Sequence, residues 1–110
     1  MSDYLKACAV ADVPDEGAVR VVVGGVPMAI VRSEGQVYAI FDVCSHQDVP
    51  LSEGEVEGGT IECWLHGSRF DLRTGKPSGP PATEPVAVYA VQVDGDDVLV
   101  DVAAPLGSAD

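Results

Sequence analysis

The amino-acid sequence predicts a single all-β domain with antiparallel strands and no long helix. The chain has 110 residues, a length typical of one domain, and 46% of them are hydrophobic while only 5% are aromatic. Its core must therefore come mainly from valine, alanine, leucine and isoleucine, and the β-branched residues among these favour strands. Twelve glycines and eight prolines supply the turns that many short strands require.

Three apolar runs in the first half of the chain predict a meander, with strands over 18–23, 26–31 and 36–41. The dipeptide Gly24-Gly25 permits a tight hairpin turn between the first two strands, and Ser33-Glu34-Gly35 predicts a second turn before the third. Pro27 cannot donate a backbone hydrogen bond, so we expect an edge position or a bulge at the start of the second strand.

Both ends of the chain add further strands. Residues 86–93 alternate in polarity, Asp94-Gly95 is a strong hairpin signal, and 98–102 completes the hairpin. The tail from Ala103 onward is expected to fray. The apolar start over 4–10 contains Cys8, for which we predict a packing role rather than a reactive one.

The middle of the chain, about 42–81, is rich in glycine and proline and has only short apolar stretches, at 60–65 and 69–72. A loop of this length without structure is unusual inside a compact domain. We therefore expect something other than a hydrophobic core to hold the segment together.

The charge excludes several classes of function. Eighteen acidic residues against six basic ones give a net charge of -12, which repels nucleic-acid backbones and anionic membrane surfaces. No run of 18 apolar residues and no basic-then-apolar leader is present, so we expect no membrane span and a cytoplasmic protein. The acidic surface favours a monomer.

Two short motifs carry the chemistry of the middle segment. Cys44-Ser45-His46 is followed by Cys63-Trp64-Leu65-His66, so that four of the five Cys and His residues stand in two matched pairs. A tetrahedral zinc site is one interpretation, although zinc motifs usually pair Cys with Cys and His with His. The other is a two-iron cluster in which thiolates hold one iron and imidazoles hold the second.

The stretch from Cys44 to Leu72, CSHQDVPLSEGEVEGGTIECWLHGSRFDL, resembles the Rieske motif, and the flanking strands are similar to a small Rieske-type ferredoxin. The resemblance implies a Rieske-like antiparallel β-sandwich or barrel base within a single domain over 1–110, with a small cluster-binding subdomain inserted at about 42–72. It also implies one [2Fe–2S] cluster, with Cys44 and Cys63 on the buried iron and His46 and His66 on the outer iron.

Departures from the high-potential Rieske proteins point to a low-potential member. Their additional disulfide cysteines correspond to Val49 and Leu65, and their tyrosine corresponds to Phe70, while Ser68 keeps a candidate hydroxyl. Fewer hydrogen bonds to the cluster stabilise its reduced form less. Nearby acids (Asp42, Asp48, Glu53, Glu55, Glu57, Glu62) also disfavour an added electron. We expect a potential nearer about −150 mV than about +300 mV.

Both histidines are used by the cluster, so the chain has no imidazole for a catalytic iron or a nucleophile, and no glycine-rich loop for a nucleotide cofactor. The resemblance, to the ferredoxin components of biphenyl- and phenylpropionate-type dioxygenase systems, implies a one-electron carrier rather than an enzyme. Its partners would be a flavoprotein reductase and a terminal non-haem iron oxygenase, met in transient electrostatic complexes. Two alternatives are an accessory protein in iron–sulfur assembly or redox sensing, and a structural zinc module.

Overall fold

The computed structural model describes residues 4–42, 50–62, 69–77 and 86–106, the last five of these by their backbone alone. Two antiparallel sheets account for the strands of these ranges. Their strands are β1 Tyr4–Ala9, β2 Gly17–Val23, β3 Val26–Ser33, β4 Gln36–Phe41, β5 Val56–Glu57, β6 Thr60–Glu62, β7 Arg69–Asp71, β8 Val88–Asp94 and β9 Asp97–Leu106. The helical residues in the described ranges form two three-residue 3₁₀ turns, Val10–Asp12 and Leu51–Glu53, and none of these ranges holds a helix able to cross a membrane.

The larger sheet has six strands in the order β1-β9-β8-β4-β3-β2, and both ends of the chain contribute to it. Its edge strands β1 and β2 also contact each other, so the sheet curls towards a barrel. The smaller sheet has the order β5-β6-β7. The predicted antiparallel all-β class is therefore confirmed.

The predicted meander is also confirmed, and both of its turns are two-residue hairpins. Gly24 and Gly25 have φ values of 58° and 83°, and Glu34 and Gly35 have values of 53° and 78°. Positive φ at both central residues is the type I′ geometry whose twist matches the flanking strands. Ser33 pairs with Gln36 as the last residue of β3, so the second turn is one residue shorter than predicted.

The edge position expected at the start of the second strand is confirmed at Pro27, because the pairing of β3 with β4 begins only at Met28, and no bulge interrupts its pairing with β2. β3 lies between β2 and β4, and its register with β2 runs from Gly17 to Val23 without a shift. The Pro27 carbonyl accepts a hydrogen bond from the N–H of Asp42, on the β4 side of the strand. Since N and O of one strand residue point the same way, the proline nitrogen also faces that side, where β4 has already ended at Phe41.

The final hairpin forms as predicted, although its strands have different limits. Its turn residues are Gly95 and Asp96, flanked by the pair Asp94 and Asp97. The fraying expected from Ala103 is wrong for 103–106, because β9 continues to Leu106 and pairs that residue with Val88 after a register shift, and 107–110 lie outside the described residues. After this shift, the last residues of β9 pair with the first residues of β8, although 103–106 show no alternation of apolar and polar residues.

Contrary to the sequence-based expectation, the middle segment contributes to a hydrophobic core, which it shares with the large sheet. A cluster of buried side chains joins the small sheet and the 3₁₀ turn to one face of the large sheet. It consists of Ala29, Val31, Ile40, Leu51, Val56, Ile61, Phe70, Leu72, Val86 and Val88. Half of these ten come from 50–72, where the apolar stretches are too short to predict a core from the sequence alone.

A second cluster fills the curl of the large sheet. Its buried members are Val13, Val23, Met28, Ile30, Ala39, Tyr89, Val98 and Val100. Cys8 is partly buried against this cluster, and burial raises the pKa of its thiol, with a smaller contribution from the charge of Asp12. The predicted packing role of Cys8 is therefore confirmed.

Candidate metal centre

The four candidate ligands lie outside the described residues. Cys44 and His46 belong to 43–49, the first segment, and Cys63 and His66 belong to 63–68, the second segment. Val49, Leu65 and Ser68 fall in the same segments. The described residues at the ends of each segment show how the two are held together.

Asp42 joins the two ends of the first segment. Its side chain is fully buried, and Oδ1 accepts a hydrogen bond from the N–H of Ser52 at 2.6 Å. Oδ2 accepts one from the Ser52 hydroxyl at 2.7 Å and another from Nη1 of Arg20 at 3.1 Å. The carboxylate thus ties the end of β4, the 3₁₀ turn and β2 to one point.

Gly54 brings the first segment to the second. The N–H of Glu62, the last residue of β6, donates to the carbonyl of Glu55 at 2.8 Å. Gly54 itself packs so closely on the Glu62 carbonyl that a Cβ atom there would lie 2.8 Å from its carbon and closer still to its oxygen. Only a glycine permits this approach, which places the turn beside the point where the second segment begins.

Arg69 follows the second segment and is held by the small sheet. Its Nη2 lies 3.7 Å from a carboxylate oxygen of Glu57 and 3.8 Å from one of Glu62, and Nη1 donates to the hydroxyl of Thr60 at 3.1 Å. Glu62 is also its register partner, so the two ends of the second segment are neighbouring residues of one ladder.

A third segment, 78–85, also lies outside the described residues, and both of its ends lie near β7. Pro77 forms an isolated bridge with Phe70, and the N–H of Val86 donates to the carbonyl of Gly75 at 2.9 Å. Gly75 has a φ of 76° and lies against the Val86 carbonyl, so this turn also depends on a glycine.

The arginines alter the expected effect of the nearby acids. Of the six acids expected to disfavour reduction, Asp42 has Arg20 as a partner, and Glu57 and Glu62 share Arg69. Opposite charges at these distances reduce the field that each carboxylate exerts on its surroundings. Three of these six acids therefore oppose reduction of the cluster less than their formal charges would.

The candidate ligands are two thiols and two imidazoles, and this combination suits a mixed-ligand iron centre. Within the described ranges, no three Cys, His, Asp or Glu side chains lie close enough to share a metal ion. The first and second segments each offer one thiol and one imidazole, and Gly54 and Glu62 bring their ends together. Two thiolates with two imidazoles are the ligands of a Rieske-type cluster.

The comparisons with known proteins identify the family. A model of the Rieske [2Fe–2S] domain matches residues 3–90, so the chain belongs to this family, and its cofactor is a Rieske-type [2Fe–2S] cluster. The chain is 41% identical over 99 residues to a biphenyl dioxygenase ferredoxin subunit of Pseudomonas sp. (strain KKS102), covering 89% of this chain and 91% of that protein. It is 44% identical over 98 residues to the 3-phenylpropionate/cinnamic acid dioxygenase ferredoxin subunit of Escherichia coli (strain K12), covering 88% and 92%.

Solved structures agree with the family assignment. The ferredoxin of carbazole 1,9a-dioxygenase from Nocardioides aromaticivorans IC177 superposes with a TM-score of 0.85 at 35% identity, covering 91% of this chain and 98% of that one. A second match, from a complex of reduced oxygenase and oxidized ferredoxin in carbazole 1,9a-dioxygenase, has a TM-score of 0.82 at 37% identity, covering 100% and 98%.

Sequence reasoning missed the residues that join the segments. In the sequence Asp42 is one of several acids, Gly54 is one of the glycines and prolines that flank the two ligand motifs, and Arg20 belongs to no motif. Arg20 is 22 residues from its partner, and no local pattern reports a pairing over that distance. Gly54 stands in a glycine-rich stretch where nothing in the sequence distinguishes a packed glycine from a flexible one.

Proposed function

We propose that the protein is a soluble one-electron carrier whose Rieske [2Fe–2S] cluster is held by Cys44, His46, Cys63 and His66. One observation carries this proposal: each segment contributes one Cys and one His, in a chain that matches the Rieske domain over 3–90. When bound, the cluster supplies a single electron at a time. The chain's own residues join the ends of the two segments through hydrogen bonds and close backbone packing.

The proposed partners are a flavoprotein reductase as donor and a terminal non-haem iron oxygenase as acceptor. The relatives named above are ferredoxin subunits of dioxygenases, and one structural match comes from a complex with an oxygenase. These names favour a carrier over an accessory protein in iron–sulfur assembly or redox sensing. The net charge of -12 favours weak, salt-sensitive encounters with basic surfaces.

The potential and the organisation of the chain are further parts of the proposal. A low potential is supported by Phe70, a fully buried side chain of β7 without a hydroxyl to donate. We also propose a cluster-binding subdomain at about 42–72, inserted in a base built from both chain ends. The acidic charge supports a monomer, because like charges repel. Positions 49 and 65 hold valine and leucine instead of a cysteine pair, which agrees with a reducing compartment such as the cytoplasm.

The ligand assignment is tested by replacing cysteines one at a time. We expect Cys44→Ser and Cys63→Ser to lose the cluster, seen as loss of iron and of the rhombic electron paramagnetic resonance signal after reduction with dithionite. Cys8→Ser is the matched control and should keep about two irons per chain. A colourless wild type with one zinc would overturn the iron assignment, and a cluster retained in Cys44→Ser would overturn the ligand set.

The carrier role is tested by reconstitution with a reductase and an oxygenase of the biphenyl or phenylpropionate type. We expect turnover to depend on the holoprotein and to fall as salt rises from low to physiological ionic strength. A well-reduced holoprotein that supports no oxygenase of this kind would favour the accessory role.

A further inference from the structure

The ion pair between Arg20 and Asp42 is unequally exposed. The Asp42 side chain has no exposed surface, whereas 47% of the Arg20 side chain is exposed. A buried carboxylate is costly unless it is paired and hydrogen-bonded. Here two hydrogen bonds come from Ser52, and the compensating positive charge comes from Arg20.

This pair lies where the first segment begins. Asp42 is two residues before Cys44, and its backbone N–H donates to the carbonyl of Pro27 at 3.1 Å. Both its backbone and its side chain are therefore fixed by the large sheet. The carboxylate carries a formal charge beside the segment that supplies two of the proposed ligands.

We propose that Arg20 is a positioning residue that sets the reduction potential by compensating the buried charge of Asp42. The inference rests on the proposed ligand set. Reduction adds one negative charge to the cluster, so an uncompensated carboxylate nearby opposes it and an added positive charge favours it. Arg20 thus makes the cluster easier to reduce than the buried carboxylate alone would allow.

Removing the charge of Arg20 and removing the charge of Asp42 must shift the reduction potential in opposite directions. Arg20→Gln leaves the carboxylate uncompensated and should lower the potential. Asp42→Asn keeps an oxygen that can accept from the Ser52 N–H but removes the negative charge, and it should raise the potential. A purely structural role predicts that either change loosens the same segment and shifts the potential in the same direction.

The experiment is a redox titration of the holoprotein against a reference dye at one ionic strength. The electron paramagnetic resonance spectrum of the reduced protein is recorded for each variant. We expect Arg20→Gln to lower the equilibrium constant for reduction at least about threefold, roughly 28 mV for a one-electron couple. Asp42→Asn should raise it by a similar factor. Arg20→Lys keeps the charge and should restore most of the wild-type value.

Lys6→Gln is the matched control, because it also removes one positive charge. Lys6 pairs with Asp97 across the β1–β9 edge, at 3.4 Å, and 62% of its side chain is exposed. We expect it to shift the equilibrium constant much less than Arg20→Gln. Equal shifts in these two variants would show an effect of net charge alone, and shifts of the same sign in Arg20→Gln and Asp42→Asn would show a structural role. Either result overturns the proposal.

The failure of the proposed function has a different signature. If the wild-type protein lacks the rhombic signal, the ligand set itself is wrong. If the wild type and both variants keep the signal and the potentials do not differ, the ligand set stands and the role of Arg20 is refuted. Should Asp42→Asn fail to fold, the comparison of Arg20→Gln, Arg20→Lys and Lys6→Gln decides the question.

Discussion

Replacing Gly54 with alanine tests whether close packing of the 3₁₀ turn on β6 holds the two ligand segments together. Gly54 has φ −86° and ψ 176°, values that alanine adopts without strain, so the substitution acts through contact alone. The new Cβ would lie 2.8 Å from the Glu62 carbonyl carbon, where such atoms essentially never come closer than 3.0 Å, and 3.2 Å from the Leu51 oxygen. Both neighbours are backbone atoms, so the turn and the strand must separate.

The magnitude follows from two contributions. Overpacking costs about 1–3 kcal/mol, and the Glu62 to Glu55 hydrogen bond that the separation strains contributes about 1 kcal/mol, for a total of about 2–4 kcal/mol. The matched control is Gly58→Ala in the β5–β6 turn, where φ is +58° and a Cβ would meet nothing within 4 Å. Its cost is backbone strain alone, about 1 kcal/mol.

The assay is the rate at which the holoprotein bleaches in a fixed concentration of guanidinium, because cluster loss makes unfolding irreversible. Each 1.4 kcal/mol is a factor of ten, so Gly54→Ala should bleach at least about tenfold faster than wild type, and Gly58→Ala about fivefold faster or less. Iron content before denaturation reports whether the segments still assemble the site. Equal rates for the two variants, or a wild-type rate for Gly54→Ala, would refute the argument that this contact joins the segments.

Three further changes test other parts of the structure. Phe70→Ala removes a fully buried ring from the core shared by the two sheets and should cost about 3–5 kcal/mol in free energy of unfolding of the apoprotein, whereas Val22→Ala, at a side chain 66% exposed, should cost far less. Ser33→Ala removes a buried hydroxyl that accepts from the Gly59 N–H at 2.9 Å; the unsatisfied donor should cost about 1–3 kcal/mol in the same assay, and an unchanged value would contradict this link between the sheets. Burial raises the pKa of the Cys8 thiol, so the folded protein keeps this proton longer than the unfolded chain, and stability should fall as pH rises through about 8.5 towards the higher folded pKa. Cys8→Ala should flatten this alkaline decline, and an identical slope would show that other groups cause it.

The sequence predicted the base of the fold well because its strands are bounded by local turn chemistry. Gly24-Gly25 and Glu34-Gly35 adopt the positive φ values that type I′ hairpins require, and 36–41 was predicted with the limits that β4 has. The Cys and His spacing likewise led to the family that the comparisons confirm. These signals depend only on residues close together in the chain.

The errors arose where long-range contacts decide the structure. The middle segment was expected to lack a core, yet Leu51, Ile61 and Phe70 are fully buried against strands distant in sequence. The edge position of Pro27 was expected correctly, but its cause, the end of β4 at Phe41, lies in a different strand. Periodicity within one strand carries no information about where the neighbouring strand stops.

The existence of a core beneath the site also changes what cluster removal should do. The sequence alone suggested that the cluster takes the place of a missing core, so that iron removal would unfold the loops that it holds. Since β5, β6 and β7 bury their own apolar side chains against the large sheet, we expect loss of order on iron removal to be confined to the ligand segments. Amide exchange of Ile61 and Phe70 in the apoprotein measures this directly, and rapid exchange there would contradict it.

The junction at Asp42 and Ser52 has a consequence for how chain length can vary in this protein. The 2.6 Å hydrogen bond closes a loop of the intervening residues 43–51, whose ends are fixed whatever its length. Closing a flexible loop twice as long costs only about 0.6 kcal/mol more in chain entropy. Added residues between these two anchors would therefore cost little in chain entropy and would leave the register of the strands unchanged.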